Sequence, residues 1–224
     1  MTGGLTGGLT IALPKGRTLE GVLALLKKLG FDGQELADES RKLIADFPER
    51  QVRFLLLRGT DIPTYVEYGA ADMGIVGKDI LLEQQKDIYE PLDLKFGFCR
   101  LVVAQPKDRQ HTENALHWSN LKVATKFPRL TEEHFNRKGI QVEIIYLGGA
   151  VELAPLVGLS DVVVDLVQTG RTLRENGLIE VEEILQSTAR LVVNRASQKT
   201  KYEPIMQLIQ QIRAYLSQGL AARG

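Results

Sequence analysis

The chain has 224 residues, and its 28 basic side chains balance 28 acidic ones to give a formal net charge of zero. That length can bury one large core or two smaller ones, while the even balance excludes bulk electrostatic attraction to nucleic acid or an anionic membrane. A single cysteine, Cys99, excludes an internal disulfide framework and suits a reducing cytoplasm, and the opening MTGGLTGGLT has neither the basic start nor the apolar core of a signal peptide.

Short apolar runs predict strands at Leu9–Leu13, Val52–Leu57, Met73–Val76, Phe96–Ala104, Val123–Lys126, Val142–Leu147, Val162–Val167 and Arg190–Val193. Between the first two, Leu19, Val22, Leu23 and Leu26 share one face of a helix that Gly30 stops. Ile205, Ile209, Ile212 and Leu216 mark a C-terminal helix in the same way. Strands alternating with amphipathic segments define α/β architecture. Cys99, next to Phe98 and near Leu101, reads as a half-buried strand residue. No apolar run approaches the roughly 20 residues of a membrane helix. His111, His117 and His134 stand in no zinc-ligand spacing.

One internal comparison bears on domain organisation. Phe54–Gly59, with Gly69-Ala70-Ala71-Asp72 following and then a strand, aligns without a gap on Glu143–Gly148 with Gly158-Leu159-Ser160-Asp161 and its strand. Two similar βαβ lobes are one reading, and chance likeness of two such units is the other. In two lobes, ligand turns would lie at the carboxyl ends of the strands and face an interlobe cleft. Those turns are Gly74–Asp79 in the first unit and Asp165–Thr172 in the second. Asp72 and Asp161 themselves read as turn residues.

The stretch Glu152–Leu173 carries the clearest chemistry. A β-branched strand delivers Asp165, then Gln168, Thr169, Gly170, Arg171 and Thr172, to a turn that opens a helix. Such a turn offers unpaired N–H groups to a phosphate, and Thr hydroxyls add donors. Asp165 could accept from a sugar's vicinal hydroxyls. On residues alone this is either an anion site or an ordinary strand-to-helix connection. Elsewhere Lys15-Gly16-Arg17 follows the first strand, and Arg41 and Lys42 adjoin Leu43-Ile44. Taken alone, these bases read as solvated surface before they read as an anion clamp. Lys78 and Asp79 open a helix, where Asp is also a competent capping residue.

Glu152, Gly158, Ser160, Val163, Asp165, Leu166, Thr169, Gly170, Thr172 and Leu173 all fall where the signature of the ATP phosphoribosyltransferase family places them. Leu13-Pro14-Lys15-Gly16-Arg17, Ser40–Ile44 and Gly77-Lys78-Asp79 extend the likeness over essentially the whole chain. The chain therefore resembles the catalytic subunit of that family in its short form. The resemblance implies two α/β lobes like those of type II periplasmic binding proteins, with the active site in the interlobe cleft. Lobe I would be residues 1–100 plus 190–224 and lobe II residues 101–189, with crossings near Phe98–Val103 and Thr188–Val193.

The resemblance further implies transfer of the 5-phosphoribosyl group of phosphoribosyl pyrophosphate to N1 of ATP, the first step of histidine biosynthesis. Thr169, Gly170 and Thr172 would hold the 5-phosphate, with Gln168 and Arg171 in the same loop and Glu152 in reach. Asp165 would meet the ribose. Arg17 and Arg41, assisted by Lys15, Gly16 and Lys42, would serve the pyrophosphate, and Lys78 and Asp79 the nucleotide. Mg2+ is expected on the polyphosphates rather than in a protein cage. A regulatory subunit resembling histidyl-tRNA synthetase in a hetero-octamer, self-association as a dimer and a cytoplasmic location complete the expectation. A solute-binding module without chemistry and a phosphoribosyltransferase acting on another base are the competing readings.

Overall fold

The computed structural model describes residues 8–16, 18–31, 42–108 and 121–221. The elements begin with β1 (Leu9–Pro14), α1 (Leu19–Lys28), β2 (Ile44–Phe47), β3 (Val52–Leu57), α2 (Ile62–Glu67), β4 (Met73–Gly77), α3 (Lys78–Gln84) and β5 (Tyr89–Asp93). They continue through β6 (Cys99–Pro106), β7 (Leu121–Thr125), α4 (Pro128–Arg137), β8 (Val142–Tyr146), β9 (Val162–Val167), α5 (Arg171–Glu175) and β10 (Leu178–Ser187). The chain closes with β11 (Ala189–Val193), α6 (Arg195–Thr200) and α7 (Tyr202–Ala221). It divides into unit 1, Met1–Gly97 with Thr188–Gly224, and unit 2, Phe98–Ser187.

Unit 1 is built on a sheet of strand order β2-β3-β1-β4-β11-β5. Side chains alternate across a strand, so β1 sends Ile11 and Leu13 to one face and Ala12 to the other. The first face packs on α1 and α7 through Val22, Leu25, Leu26, Ile205, Ile209 and Ile212. Leu25 is buried and Leu23 only partly so, a rotation of the apolar face from that read in the sequence. The second face receives Ile62 and Val66 of α2 and Ile80 and Leu81 of α3. Phe31, Phe47 and Phe54 meet edge to face at 5.2–5.5 Å, and fully burying a ring such as Phe54 contributes about 2–3 kcal/mol.

Asp72 anchors the C-terminal helices to this sheet. Its carboxylate accepts from Thr10 N at 2.8 Å, Ser197 Oγ at 2.6 Å and Lys201 Nζ at 2.8 Å. Asn194 caps α6 through Ser197 N and donates to the carbonyls of Val66 and Glu67, closing the end of α2 against the same point.

Unit 2 has the order β10-β6-β9-β7-β8. Within it β8-β7-β9-β6 repeats the arrangement of β3-β1-β4-β11: a central strand with parallel neighbours on both sides and an antiparallel strand beyond. Gly69 and Gly158 both turn with φ +73°, before Asp72 and Asp161. The connecting segments differ. Unit 1 has α2, whereas unit 2 has a 3-10 turn at Val151–Leu153 and irregular turns to Gly158, not the helix expected there. Proline explains the difference. Pro63 sits in the first turn of α2, where its missing N–H is not needed, but Pro155 falls past the first turn and cannot donate to Val151.

Candidate active site

The parallel register of β7 and β9 pairs Val123 with Val162, Ala124 with Val163 and Thr125 with Val164. One step further along this register, Lys126, just past the end of β7, comes level with Asp165, two residues before the end of β9. Thr125 locks that end, its Oγ1 donating to Val164 O at 2.8 Å and accepting from Phe127 N at 2.9 Å. The Asp165 carboxylate is largely buried, and its buried Oδ1 has no hydrogen-bond partner among the described residues. Lys126 Nζ stands 3.5 Å from that oxygen, an ion-pair distance rather than a good hydrogen bond. Burial pushes the Asp165 carboxyl above the usual carboxylate range; Lys126 draws it back and Glu152 pushes it further up.

After β9, Gln168 and Thr169 are exposed, and Gly170 enters α5 with φ +71°. A Cβ on Gly170 would lie 2.9 Å from Glu180 Oε1 and 3.1 Å from an Arg174 guanidinium nitrogen, so the turn admits only glycine without rearrangement. The N–H groups of Arg171, Thr172 and Leu173 have no intrahelical acceptors, as at any helix start. Because α5 spans five residues, what its start offers an anion is these donors rather than a long helix dipole. Arg171 Nε donates to Glu175 Oε1 at 2.7 Å along the helix surface. Glu152 lies in the 3-10 turn, half-buried and close enough to act on Asp165.

In unit 1, Lys15 and Gly16 are exposed just past β1, with Lys15 N bonded to Leu57 O and Gly16 at φ +81°. Lys42 is exposed ahead of β2, beside exposed Leu43 and Ile44. Arg17 and Arg41 lie outside the described residues. Lys78 Nζ binds Glu90 Oε2 at 2.6 Å, and Asp79 is buried in the first turn of α3 with its carboxylate against Gly77, where no Cβ intervenes. Lys78 is thus paired within unit 1, and Asp79 occupies the first turn of α3, the local role that the sequence left open for it.

Unit 2 brings Asp165, Glu152 and the Gln168–Thr172 turn together around the end of β9. Sequence reasoning missed Lys126, although it ended a strand there; the signal would have been the parallel pairing of β7 with β9. Among the described residues no three His, Cys, Asp or Glu side chains gather to hold a metal. None of the described helices is long and apolar enough to cross a membrane.

These features define an α/β protein of two similar units, with a largely buried carboxylate in one strand and a glycine turn opening a helix just after it. The model of the family described as HisG, ATP phosphoribosyltransferase, matches residues 58–214, and the chain belongs to that family. A protein named ATP phosphoribosyltransferase from Geobacter metallireducens is 57% identical over 202 residues, covering 90% of this chain and 95% of that protein. The ATP phosphoribosyl transferase (HisG:HisZ) complex from Thermotoga maritima contains a chain with TM-score 0.79 and 35% identity, covering 94% of this chain and 99% of its own. The periplasmic aliphatic sulphonate binding protein SsuA from Escherichia coli shares the fold at TM-score 0.62 and 15% identity, covering 97% of this chain and 71% of that one.

Proposed function

We infer that the protein transfers the 5-phosphoribosyl group of phosphoribosyl pyrophosphate to N1 of ATP, giving N1-(5-phosphoribosyl)-ATP and pyrophosphate, the first step of histidine biosynthesis. Membership of the family supports the reaction. The observation that carries the assignment of the site is Asp165, a largely buried carboxylate whose Oδ1 accepts no hydrogen bond from the described residues, four residues before the Thr169–Thr172 turn.

The lone pair of adenine N1 attacks the anomeric carbon while the bond from that carbon to pyrophosphate breaks, and its electron pair leaves with pyrophosphate. Adenine N1 carries no proton, so the step needs no general base. It needs alignment of two anions, stabilisation of a cationic ribosyl group and neutralisation of the leaving group. Asp165 accepts from the ribose hydroxyls, and its charge favours the positive character that develops on the ring. Thr169, Gly170 and Thr172 hold the 5-phosphate. Lys15, Arg17, Arg41 and Lys42 serve the pyrophosphate, Arg through its planar paired donors. Lys78 would have to leave Glu90 to reach the nucleotide.

Mg2+ fits this donor set as a companion of the substrates, held by polyphosphate oxygens and water, where it supplies charge neutralisation. A regulatory subunit resembling histidyl-tRNA synthetase, in a hetero-octamer, is the partner we assign; the HisG:HisZ complex of the Thermotoga maritima relative supports it. Self-association as a dimer and a cytoplasmic setting belong to the same reading. Replacing Asp165 with alanine tests the site: turnover should fall by about a hundredfold or more with the fold intact, and unchanged steady-state kinetics would remove Asp165 from the mechanism.

A further inference from the structure

We propose that Lys126 is a positioning residue for the phosphoribosyl site, holding the Asp165 carboxylate in place and in its charged form until the sugar hydroxyls bind it. The proposal rests on the functional reading above and extends it to a residue outside the family signature read in the sequence.

Three observations meet at this pair. The β7–β9 register brings Lys126, just past the end of β7, level with Asp165 of β9. Thr125, one residue before Lys126, ties the two strands through Val164 O, so their spacing is held by buried structure rather than by the flexible lysine stem. The ammonium stands 3.5 Å from Oδ1, a buried oxygen that accepts no hydrogen bond from the described residues. At this separation Lys126 supplies charge to the buried oxygen, and the carboxylate keeps lone pairs on its accessible part for a ribose hydroxyl.

The other charged groups around Asp165 do not do this work. Glu152, from the 3-10 turn, opposes ionisation. On β6 the residue opposite Asp165 is Val102, and Arg100 further along is bound to Glu180 and Glu183 of β10. Arg171 of α5 is bound to Glu175. Burial of the carboxyl and repulsion from Glu152 both favour the neutral acid, which accepts less well and carries no charge to the ring. Among the described residues, Lys126 is the cation that counters them.

The test uses the full chain as wild type, Lys126→Met and Lys126→Arg. The Asp165 side-chain carboxyl is titrated by carbon NMR, identified by its loss in Asp165→Asn, and binding of phosphoribosyl pyrophosphate is measured across pH by calorimetry. In Lys126→Met the Asp165 midpoint should rise, and binding should weaken about tenfold at neutral pH while approaching wild type as pH is raised. Lys126→Arg should restore both. An Asp165 titration identical in wild type and Lys126→Met would overturn the proposal, as would a binding loss equal at every pH. Failure of the wild type to bind phosphoribosyl pyrophosphate would count against the functional reading alone, because the titration is recorded without substrate and decides the Lys126 pairing by itself.

Discussion

Asp72 and Asp161 make the same pair of hydrogen bonds in different sheets. Asp72 N donates to Thr10 O at 2.8 Å and Thr10 N to Asp72 Oδ2 at 2.8 Å, while Asp161 N donates to Lys122 O at 2.9 Å and Lys122 N to Asp161 Oδ2 at 3.0 Å. Each carboxylate thus ties the approach to one parallel strand to the start of the next. The correspondence gives the internal sequence likeness a physical content: the acidic residue after each glycine turn extends the parallel ladder by one side-chain bond.

The two residues differ in what else they hold. Asp72→Ala also strands Ser197 Oγ and leaves Lys201 Nζ to the Gly8 carbonyl without its carboxylate, and should destabilise the protein by about 3 kcal/mol. Asp161 is less buried, and its alanine variant should cost about 1–2 kcal/mol. Urea unfolding of both variants checks the ranking, and equal losses would mean that the α6–α7 anchor contributes little.

Asp165 sets function against stability. Burial raises its carboxyl in the fold, so its contribution to stability is fully present below the unfolded value of about 3.9 and is lost as pH rises through the higher folded value. At neutral pH the ionised form is therefore a burden on the unliganded protein. Asp165→Asn should raise the thermal midpoint there, with the gain shrinking as pH is lowered, while turnover falls by about a hundredfold or more. Calorimetric scans at several pH values measure the first effect, and a midpoint that drops at neutral pH would contradict it.

Gly170 adopts φ +71° beside Glu180 and Arg174. Gly170→Ala should cost about 1–2 kcal/mol for the left-handed backbone alone, and more as Glu180, which Arg100 also holds, is displaced. Because the glycine precedes the N–H groups assigned to the 5-phosphate, affinity for phosphoribosyl pyrophosphate should fall more than affinity for ATP. Separate titrations with the two ligands decide this.

His134 is buried on α4 beside Glu182, and burial holds its imidazole below the ordinary value of 6.5 despite that carboxylate. A depressed folded value means stability is present above the unfolded pKa and lost as pH falls through the folded one. His134→Leu should therefore flatten the loss of stability on the acid side of pH 6.5. Unfolding midpoints of both proteins on either side of that value measure the difference.

The strands that carry these groups were readable in the sequence because they are central and apolar. β1, β4, β7, β9 and β11 bury side chains on both faces and appear as short β-branched or apolar runs. The three strands missed, β2, β5 and β10, all lie at sheet edges. Ile44–Phe47 is only four residues long, Tyr89–Asp93 contains Pro91, and Leu178–Ser187 carries Glu180, Glu182 and Glu183, the shortness, proline and charge by which edge strands avoid further pairing. Likewise Phe96–Ala104 read as one strand, but Gly97 turns with φ +68° and the strand begins at Cys99. Asp165 and the Thr169–Thr172 turn were visible because they are contiguous. Lys126 was not, since its role depends on which strand β7 adopts as a neighbour, information held in the pairing and not in local residue pattern.

The most direct measurement of the central claim is pyrophosphate release from phosphoribosyl pyrophosphate in the presence of ATP and Mg2+, with product mass recorded and the regulatory subunit present or absent. The account predicts release that requires ATP, with a product equal in mass to ATP bearing one phosphoribosyl group, and none when free purines replace ATP. Binding of both substrates without release under either condition, or release supported by a free purine, would contradict it.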